Sequence, residues 1–293
     1  MIHDPADQIA QGPLSLVFTD LDGTFLTTDK RIHPTCRLAL EALEERQVPF
    51  VICTGRAVSG IYPELRALPA LRYLIACNGA VIADAATSQE LHATPLGHER
   101  ARQLFEAVAP LDVNIDFFAD GCAYAEKGRF SKLDTYGLEP HFLANTRRSR
   151  TVVGSLLELL DQLGRVDRMS VYYHTPEQRQ VVLEAAEAMG GLTVTSSEFC
   201  NLEISDQEAN KGAAARWLCD YLGIPLAEAA AFGDGLNDTP MLEALGDGVA
   251  MANAQPGVAS HANHHTALVN DEGGVGDYIL KRLAAWDQAK IQA

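Results

Sequence analysis

The feature that most constrains this chain is an apolar run that stops at two carboxylates. Residues 16–19 have strand-forming character, Asp20 and Asp22 follow them, and Gly23 comes next. Side chains two positions apart on an extended segment point the same way, so the two carboxylates can converge. A buried strand that ends in polar residues and glycine is typical of an open α/β sheet, which binds ligands at that end. An acidic Asp-Gly turn is the purely structural alternative.

The two carboxylates also indicate a bound cation. Two negative charges aimed at one point repel each other unless a cation or a shared proton separates them. A hard divalent cation such as Mg2+ is held in proteins by one or two carboxylates together with other oxygen ligands. The pair therefore predicts a divalent cation site at the end of the first strand.

The first third of the chain alternates strands and helices. Nearly continuous apolar runs at 48–53 and 73–77 each follow a segment with helical spacing, at 34–46 and about 59–68. Strands that are apolar throughout belong to parallel sheets covered by helices on both faces. The same alternation returns near the C-terminus, where 229–232 is a further apolar run.

The middle of the chain has a different pattern. Residues 113–118 alternate in period two, which indicates a sheet with one polar face, and Asp120-Gly121 suits a hairpin turn. We further expect a helix over about 152–163, a strand over 168–174, a helix over 176–189 and a strand over 192–195. The sequence therefore predicts an α/β core of residues 13–85 and 199–293, an inserted α+β domain of residues 86–198, and a flexible extension of residues 1–12.

The acidic composition narrows the class of partner. The net charge of −16 argues against nucleic acid, whose phosphates need a basic surface, and against anionic membranes. No apolar run approaches the length of a membrane span, and residues 1–11 lack the features of a signal peptide. The six cysteines include no C-x-x-C pair, which suits a reducing compartment. We expect a cytoplasmic protein that is monomeric or weakly homodimeric.

Four polar clusters lie where predicted strands end or a predicted helix begins. They are Asp20-Leu21-Asp22-Gly23-Thr24, Cys53-Thr54-Gly55-Arg56, Asn210-Lys211-Gly212 and Gly233-Asp234-Gly235-Leu236-Asn237-Asp238. In content and order they resemble the four motifs of the haloacid dehalogenase-like superfamily, and the long insertion resembles the Cof-type phosphatases of subclass IIB, which carry a C2 cap. The resemblance implies a Rossmann-like core with an α+β C2 cap that selects the substrate. It also implies Mg2+-dependent hydrolysis of a small phosphorylated metabolite.

Three residues of these clusters fit the steps of phosphate ester hydrolysis. Asp20 is the candidate nucleophile, because an aspartyl-phosphate divides one difficult step into two. Asp22 is the candidate general acid; the resemblance assigns it that role and places its backbone carbonyl on the metal, and a second metal carboxylate is the alternative. Lys211 supplies the positive charge that would neutralise Asp20 and the phosphoryl oxygens, and an exposed surface lysine is the alternative.

The last cluster would complete the predicted metal site. Asp234 and Asp238 join Asp20 and Asp22 as predicted ligands of Mg2+, with Asp238 binding directly or through water. Asp238 also lies where a helix N-cap would stand, ahead of Pro240. Both roles can hold together.

Phosphate binding is expected from residues that follow the predicted strands. Thr54 offers its hydroxyl, and the neighbouring backbone at Gly55 offers N–H groups. Arg56 is either a fork for the substrate phosphate or part of a structural ion pair. Asn237 is expected to orient the nucleophile or to touch the phosphate. Asn78 could reach the same edge, and a turn before the following glycine explains it equally well.

Several functions stay open at this point. A sugar phosphate is the first expectation, and Cof-type relatives also act on pyridoxal phosphate or flavin mononucleotide. A mannosylglycerate-phosphate or sucrose-phosphate phosphatase and a phosphomutase are alternatives within the family. A catalytically silent sensor of a phosphorylated metabolite is a different class, which the four intact motifs disfavour. Haloacid dehalogenation is disfavoured because Asp22 and the Asp234/Asp238 pair suit a metal–phosphate site.

Overall fold

The computed structural model describes residues 9–197 and 199–292, so most of the predicted N-terminal extension lies outside the described residues. The strands are β1 (Leu16–Asp20), β2 (Phe50–Cys53), β3 (Leu71–Ala76), β4 (Val81–Asp84), β5 (Glu90–Ala93), β6 (Asn114–Ala119), β7 (Cys122–Glu126), β8 (Arg150–Val153), β9 (Arg168–Tyr172), β10 (Leu192–Thr195), β11 (Asn201–Asp206), β12 (Ala229–Gly233), β13 (Asp247–Ala250) and β14 (His264–His265). The helices are α1 (Pro34–Glu45), α2 (Pro63–Arg66), α3 (His98–Val108), α4 (Lys127–Phe130), α5 (Pro140–Ser149), α6 (Leu156–Leu160), α7 (Pro176–Met189), α8 (Lys211–Leu222), α9 (Thr239–Ala244) and α10 (Gly274–Gln292).

The chain divides into two compact units. The first unit takes in the described residues of Met1–Thr54, Pro63–Leu91 and Asn210–Ala293, and the second is Gly55–Tyr62 with the described part of His92–Ala209. Within the described part of the chain, no helix has the length and apolar character needed to cross a membrane.

The first unit is built on an eight-stranded sheet with the order β14-β13-β12-β1-β2-β3-β4-β5. The strands from β14 to β3 run parallel, and β4 is antiparallel to β3. β1 lies between β12 and β2 and is buried along its whole length, because Leu16, Val17 and Phe18 pack into the core. Apolar residues of α8 and α9 pack against this sheet. The parallel α/β fold predicted from the sequence is confirmed.

The second unit has a six-stranded sheet with the order β10-β11-β9-β6-β7-β8. Its pairs are antiparallel except for β7 with β8. The expected hairpin joins β6 to β7 through Asp120 and Gly121, whose φ angles of 51° and 72° suit a tight turn. One face of the sheet carries Phe117, Met169 and Val171, which pack in one apolar cluster with residues of α3 and α7.

Two differences from the sequence expectation have local causes. The segment expected to be a helix over about 152–163 is divided between strand β8 and helix α6, because the β-branched residues at 151–153 favour a strand. The Ser155 hydroxyl then caps α6 by accepting from the backbone N–H of Glu158. Residues 199–209, expected in the core domain, belong to the second unit because β11 pairs with β9 and β10.

A buried ion pair ties the last helix to the sheet of the first unit. Asp247, at the start of β13, and Arg282, on α10, are each 3% exposed. Nε of Arg282 lies 3.3 Å from Oδ2 of Asp247, and the Tyr278 hydroxyl donates to Oδ1 of the same carboxylate at 2.9 Å. Arg282 also donates to the backbone oxygens of Gly12 and Pro13. The pair therefore joins three segments that are distant in the chain.

We expect Asp247→Asn to lower the free energy of unfolding by about 3–5 kcal/mol, because it leaves the buried Arg282 guanidinium without a counter-charge. Urea unfolding followed by circular dichroism measures this loss. Lys281→Gln on the same helix is the matched control, since the Lys281 side chain is half exposed and its ion pair with Asp277, four residues away on the helix, is worth about 0.5 kcal/mol or less. An equal loss of unfolding free energy in the two variants would show that the buried Asp247–Arg282 pair contributes no more to stability than an ion pair at the surface.

Candidate active site

Strand pairing in the first unit brings three of the predicted clusters to one edge of the sheet. β1 and β12 are parallel neighbours, so Asp20 and Gly233 end adjacent strands. β1 and β2 pair in the register Asp20↔Cys53, which places Thr54 at the same edge. The carboxyl ends of parallel strands are where an open α/β sheet binds its ligands.

Lys211 is held in the interior of this edge at the first position of α8. The Asn210 side chain caps that helix by accepting from Ala213 N at 2.8 Å. The backbone of Asn210 lies against Gly79, whose φ of 104° and lack of a side chain permit the approach; a Cβ there would overlap the Asn210 carbonyl. Lys211 is 0% exposed. The alternative of an exposed surface lysine is therefore wrong.

The ammonium group of Lys211 joins two of the predicted carboxylates. Its Nζ lies 2.5 Å from Oδ1 of Asp20 and 2.5 Å from Oδ1 of Asp238. Burial alone would lower the pKa of Lys211, but the two carboxylates raise it above its ordinary value. The lysine is therefore charged. Its ammonium group bridges the carboxylate of Asp20, at the end of β1, and the carboxylate of Asp238, in the segment after β12.

Asp238 is oriented by the backbone in front of it. Its Oδ2 accepts from Asp234 N at 3.0 Å and from Gly235 N at 2.9 Å. It stands at the N-cap position of α9, but its side chain makes no capping hydrogen bond to that helix. Asp238 is thus the N-cap residue of α9, as the alternative predicts, but its side chain does not cap the helix. The carboxylate instead accepts hydrogen bonds from the loop backbone and from Lys211.

Asp20, Asp234 and Asp238 together fit a divalent cation. One oxygen from each carboxylate lies within 4.8 Å of the others. Burial raises the pKa of Asp20 well above its ordinary value, with the Lys211 charge opposing it, and burial with the charge of Asp238 raises the pKa of Asp234 to about 6. Three clustered carboxylates beside one ammonium carry excess negative charge, and a hard cation with oxygen ligands would neutralise it.

Thr24 is a site residue that the sequence argument did not assign. It is 1% exposed, and its hydroxyl donates to Oδ1 of Asp234 at 2.6 Å. The turn before it passes close to the same carboxylate, because Gly23 has a φ of 86° and a Cβ there would lie 2.5 Å from Oδ2 of Asp234. The only signal in the sequence was a hydroxyl two residues after Asp22. Thr24 fixes the orientation of Asp234.

The carboxylate of Asp22 lies apart from the cluster of three. Its Oδ1 accepts from Nζ of Lys30 at 2.8 Å, and the Asp22 side chain is 36% exposed. Among the described residues it is not grouped with the carboxylates that could share one ion. Its roles as general acid and as a backbone ligand stay predictions.

The predicted phosphate-binding residues are divided between the two units. Thr54 is 2% exposed at the end of β2, and Nδ2 of Asn237 donates to Oδ1 of Asn78 at 3.3 Å, both in the first unit. Asn78 also has a φ of 58°, so it both forms the turn and contacts the site loop. Gly55 and Arg56 belong to the second unit.

Arg56 makes its described contacts within the second unit. Nη1 donates to the backbone oxygen of Gly60 at 3.2 Å and to Oδ1 of Asn145 at 3.0 Å. Its guanidinium carbon lies 4.8 Å from the centre of the Tyr62 ring. These contacts hold the guanidinium in place, and its binding of substrate phosphate stays a prediction.

Known proteins resemble this chain along most of its length. Residues 17–279 match the family described as haloacid dehalogenase-like hydrolase. Phosphatase YwpJ of Bacillus subtilis is 30% identical over 288 residues, which cover 92% of this chain and 100% of that protein. The pyridoxal phosphate phosphatase YbhA of Escherichia coli is 29% identical over 85% of this chain and 91% of its own length.

Solved structures share the fold. A haloacid dehalogenase-like hydrolase from B. subtilis has a TM-score of 0.78 and 28% identity, over 91% of this chain and 99% of that one. The subclass IIB sugar phosphatase BT4131 has a TM-score of 0.75 at 21% identity, over 92% of this chain and 99% of that one, which shows the fold alone. The chain belongs to the haloacid dehalogenase-like hydrolases.

Proposed function

We propose that this phosphatase is a Mg2+-dependent phosphomonoester hydrolase that acts on a small phosphorylated metabolite through an aspartyl-phosphate on Asp20. The observation that carries the proposal is the position of Lys211 between Asp20 and Asp238, with Asp234 in the same cluster. A carboxylate nucleophile, a buried cation and a set of carboxylates for a divalent ion are the groups that phosphoryl transfer requires.

The chain's own residues account for both halves of the reaction. Asp20 attacks the phosphorus atom, and the bond from phosphorus to the leaving oxygen breaks. Lys211 holds Oδ1 of Asp20, which leaves Oδ2 for the new bond, and its charge stabilises the phosphoryl oxygens. Asp22 donates a proton to the leaving oxygen and then takes one from the water that attacks the aspartyl-phosphate. The products are the free alcohol, phosphate and regenerated Asp20.

Mg2+ bound here would neutralise negative charge that develops on the transferring phosphoryl group. Asp20, Asp234 and Asp238 are the carboxylates that would hold it, with the backbone carbonyl of Asp22 as a further ligand. Thr24 keeps Asp234 in position. Both oxygens of Asp238 already accept hydrogen bonds, which favours contact through water over direct ligation.

For the substrate we propose a sugar phosphate, with pyridoxal phosphate as the second candidate. The first follows from the resemblance to Cof-type phosphatases, and the second is supported by the relative YbhA, a pyridoxal phosphate phosphatase. We assign the choice of substrate to the insertion predicted over 86–198. Phosphate release across sugar phosphates, pyridoxal phosphate, flavin mononucleotide and sucrose phosphate separates these candidates, and isomerisation without release would indicate a phosphomutase. The cytoplasmic location and the monomeric or weakly dimeric state stay predictions.

Asp20→Asn should lower the rate of phosphate release by roughly 10³-fold or more, because the amide cannot form the phosphorylated intermediate. The test measures free phosphate with Mg2+ and again after chelation. Asp29→Asn is the matched control, since Asp29 is exposed and pairs with Arg31. Full activity in Asp20→Asn, or activity that survives chelation, would contradict the proposed mechanism. A wild-type protein that binds phosphate esters without releasing phosphate would be a sensor.

Asp234→Asn should stabilise the metal-free protein by about 2 kcal/mol near pH 8, since the folded state holds this carboxylate ionised against a raised pKa. The cost of ionisation is fully present above the folded pKa of about 6, shrinks as the pH falls below that value and is lost near the ordinary carboxyl pKa of 3.8, so the gain should shrink between about pH 6 and pH 4. Thermal unfolding with EDTA measures the gain. With MgCl2 the wild type should gain stability and the variant should not; an equal gain in both would place the ion elsewhere.

Lys211→Met should destabilise the protein by about 3–5 kcal/mol and abolish turnover, because it leaves Asp20 and Asp238 buried without their cation. Urea unfolding and phosphate release measure the two effects. Lys132→Met is the control, since the ion pair of Lys132 with Asp112 is exposed. A Lys211→Met protein with wild-type stability would mean that the two carboxylates are protonated in the folded state.

A further inference from the structure

Two asparagines from the C-terminal part of the first unit bind the loop that follows β1. Nδ2 of Asn253 donates to the backbone oxygen of Gly23 at 2.8 Å, and Nδ2 of Asn270 donates to the backbone oxygen of Leu26 at 2.9 Å. Oδ1 of Asn253 also accepts from the backbone N–H of Asn270 at 3.0 Å. The two asparagines therefore hold each other and the loop, although their partners lie 230 and 244 residues earlier in the chain.

The hydrogen bond from Asn253 is made to the peptide group that leads to Thr24. A peptide group is planar and rigid, so the Gly23 carbonyl and the Thr24 nitrogen turn together. The Thr24 hydroxyl donates to Oδ1 of Asp234 at 2.6 Å, and Gly23 passes so close to this carboxylate that a Cβ would lie 2.5 Å from Oδ2. Rotation of the peptide group would therefore disturb both contacts with Asp234.

The backbone on either side of Asn253 is bound to the segment that contains Asp234. The N–H of Met251 donates to the backbone oxygen of Gly233 at 3.0 Å, and the N–H of Gln255 donates to that of Asp234 at 2.8 Å. Asn253 lies in the turn between these two bonds. It therefore connects the backbone of Asp234 with the peptide group that precedes the partner of the Asp234 carboxylate, and the contacts form a closed ring.

We propose that Asn253 is a positioning residue of the candidate cation site: it orients the Gly23–Thr24 peptide group, and Thr24 then fixes the carboxylate of Asp234. This inference rests on the proposed phosphatase function, because it concerns the carboxylates that would hold Mg2+. Replacing a group that hydrogen-bonds a metal ligand typically weakens metal binding roughly 10- to 100-fold. Asn253 acts one bond further away, so we expect an effect near the lower end of that range.

General anchoring of the loop is the structural explanation that the test must separate. Asp271 anchors the same loop at Thr28, whose backbone N–H and hydroxyl donate to the Asp271 carboxylate at 2.6 Å and 2.8 Å. Asn253 and Asp271 are both exposed, so water can replace their hydrogen bonds and the cost to stability is small. Because Thr28 lies beyond Thr24 in the loop, Asp271→Ala loosens the loop and leaves the Asn253 bond in place. It is the matched control.

The binding test compares Asn253→Ala and Asp271→Ala, each prepared without metal and titrated with Mn2+. Mn2+ takes the same oxygen ligands as Mg2+, and electron paramagnetic resonance measures the free ion without any turnover. We expect Asn253→Ala to bind Mn2+ roughly tenfold more weakly than the wild type, and Asp271→Ala to match the wild type. Thermal unfolding in EDTA should be the same for all three proteins. Unchanged affinity in Asn253→Ala, or equal losses of affinity in the two variants, would overturn the proposal.

A double-variant cycle tests whether Asn253 acts through Thr24. Thr24→Val removes the hydroxyl that holds Asp234 and keeps the shape of the side chain, and we expect it to weaken Mn2+ binding roughly 10- to 100-fold. Because Asn253 acts through the same hydroxyl, adding Asn253→Ala to Thr24→Val should cause little further loss of affinity. Losses that add in the double variant would show that Asn253 acts by another route and would overturn the proposal.

Phosphate release with Mg2+, measured on the same proteins, separates this proposal from the proposed function. A wild type that binds Mn2+ but releases no phosphate, together with weaker binding by Asn253→Ala, would refute the function alone. A wild type that releases phosphate, together with unchanged binding by Asn253→Ala, would refute the role of Asn253 alone. Absence of Mn2+ binding by the wild type would overturn the role of Asn253 together with the assignment of the cation site.

Discussion

The buried ammonium group of Lys211 is the interaction on which the rest of the candidate site depends. It lies 2.5 Å from a carboxylate oxygen of Asp20 and of Asp238, and it is 0% exposed. A lysine in this position is stable only beside such partners, and the buried carboxylates need its charge in return. Because Asp234 belongs to the same cluster, one ammonium faces three carboxylates. Burial of these charged groups lowers the stability of the fold. Their excess negative charge would attract a divalent cation with oxygen ligands.

Parallel topology explains why these residues meet although they are far apart in sequence. β12 and β2 flank β1, so residues that follow three separate strands arrive at one edge. Each strand is buried and apolar, and its first polar residues therefore mark its end. That is why Asp20 and Thr54 could be placed at the site from the sequence, and why Asp234 and Asp238 could be placed with them. The helix that carries Lys211 begins at the same edge, capped by Asn210.

What the sequence could not show depends on contacts between distant side chains. Thr24 lies beside a recognised motif, but its partner Asp234 is 210 residues away, and no local pattern reveals that hydrogen bond. No turn signal in the six residues of β11 shows which of the two sheets this strand joins; that follows only from its pairing with β9 and β10.

The net charge of −16 repels anions from the protein as a whole. An enzyme of this composition that acts on anions therefore needs a positive electrostatic potential at its active site. At physiological ionic strength the Debye length is about 8 Å, so most of the acidic surface is screened from a bound substrate. The charges that decide binding are then the few nearest the anionic group. Lys211 meets this need because its burial protects its field from salt. The acidic composition therefore leaves recognition of a phosphate ester to a small number of fixed cations.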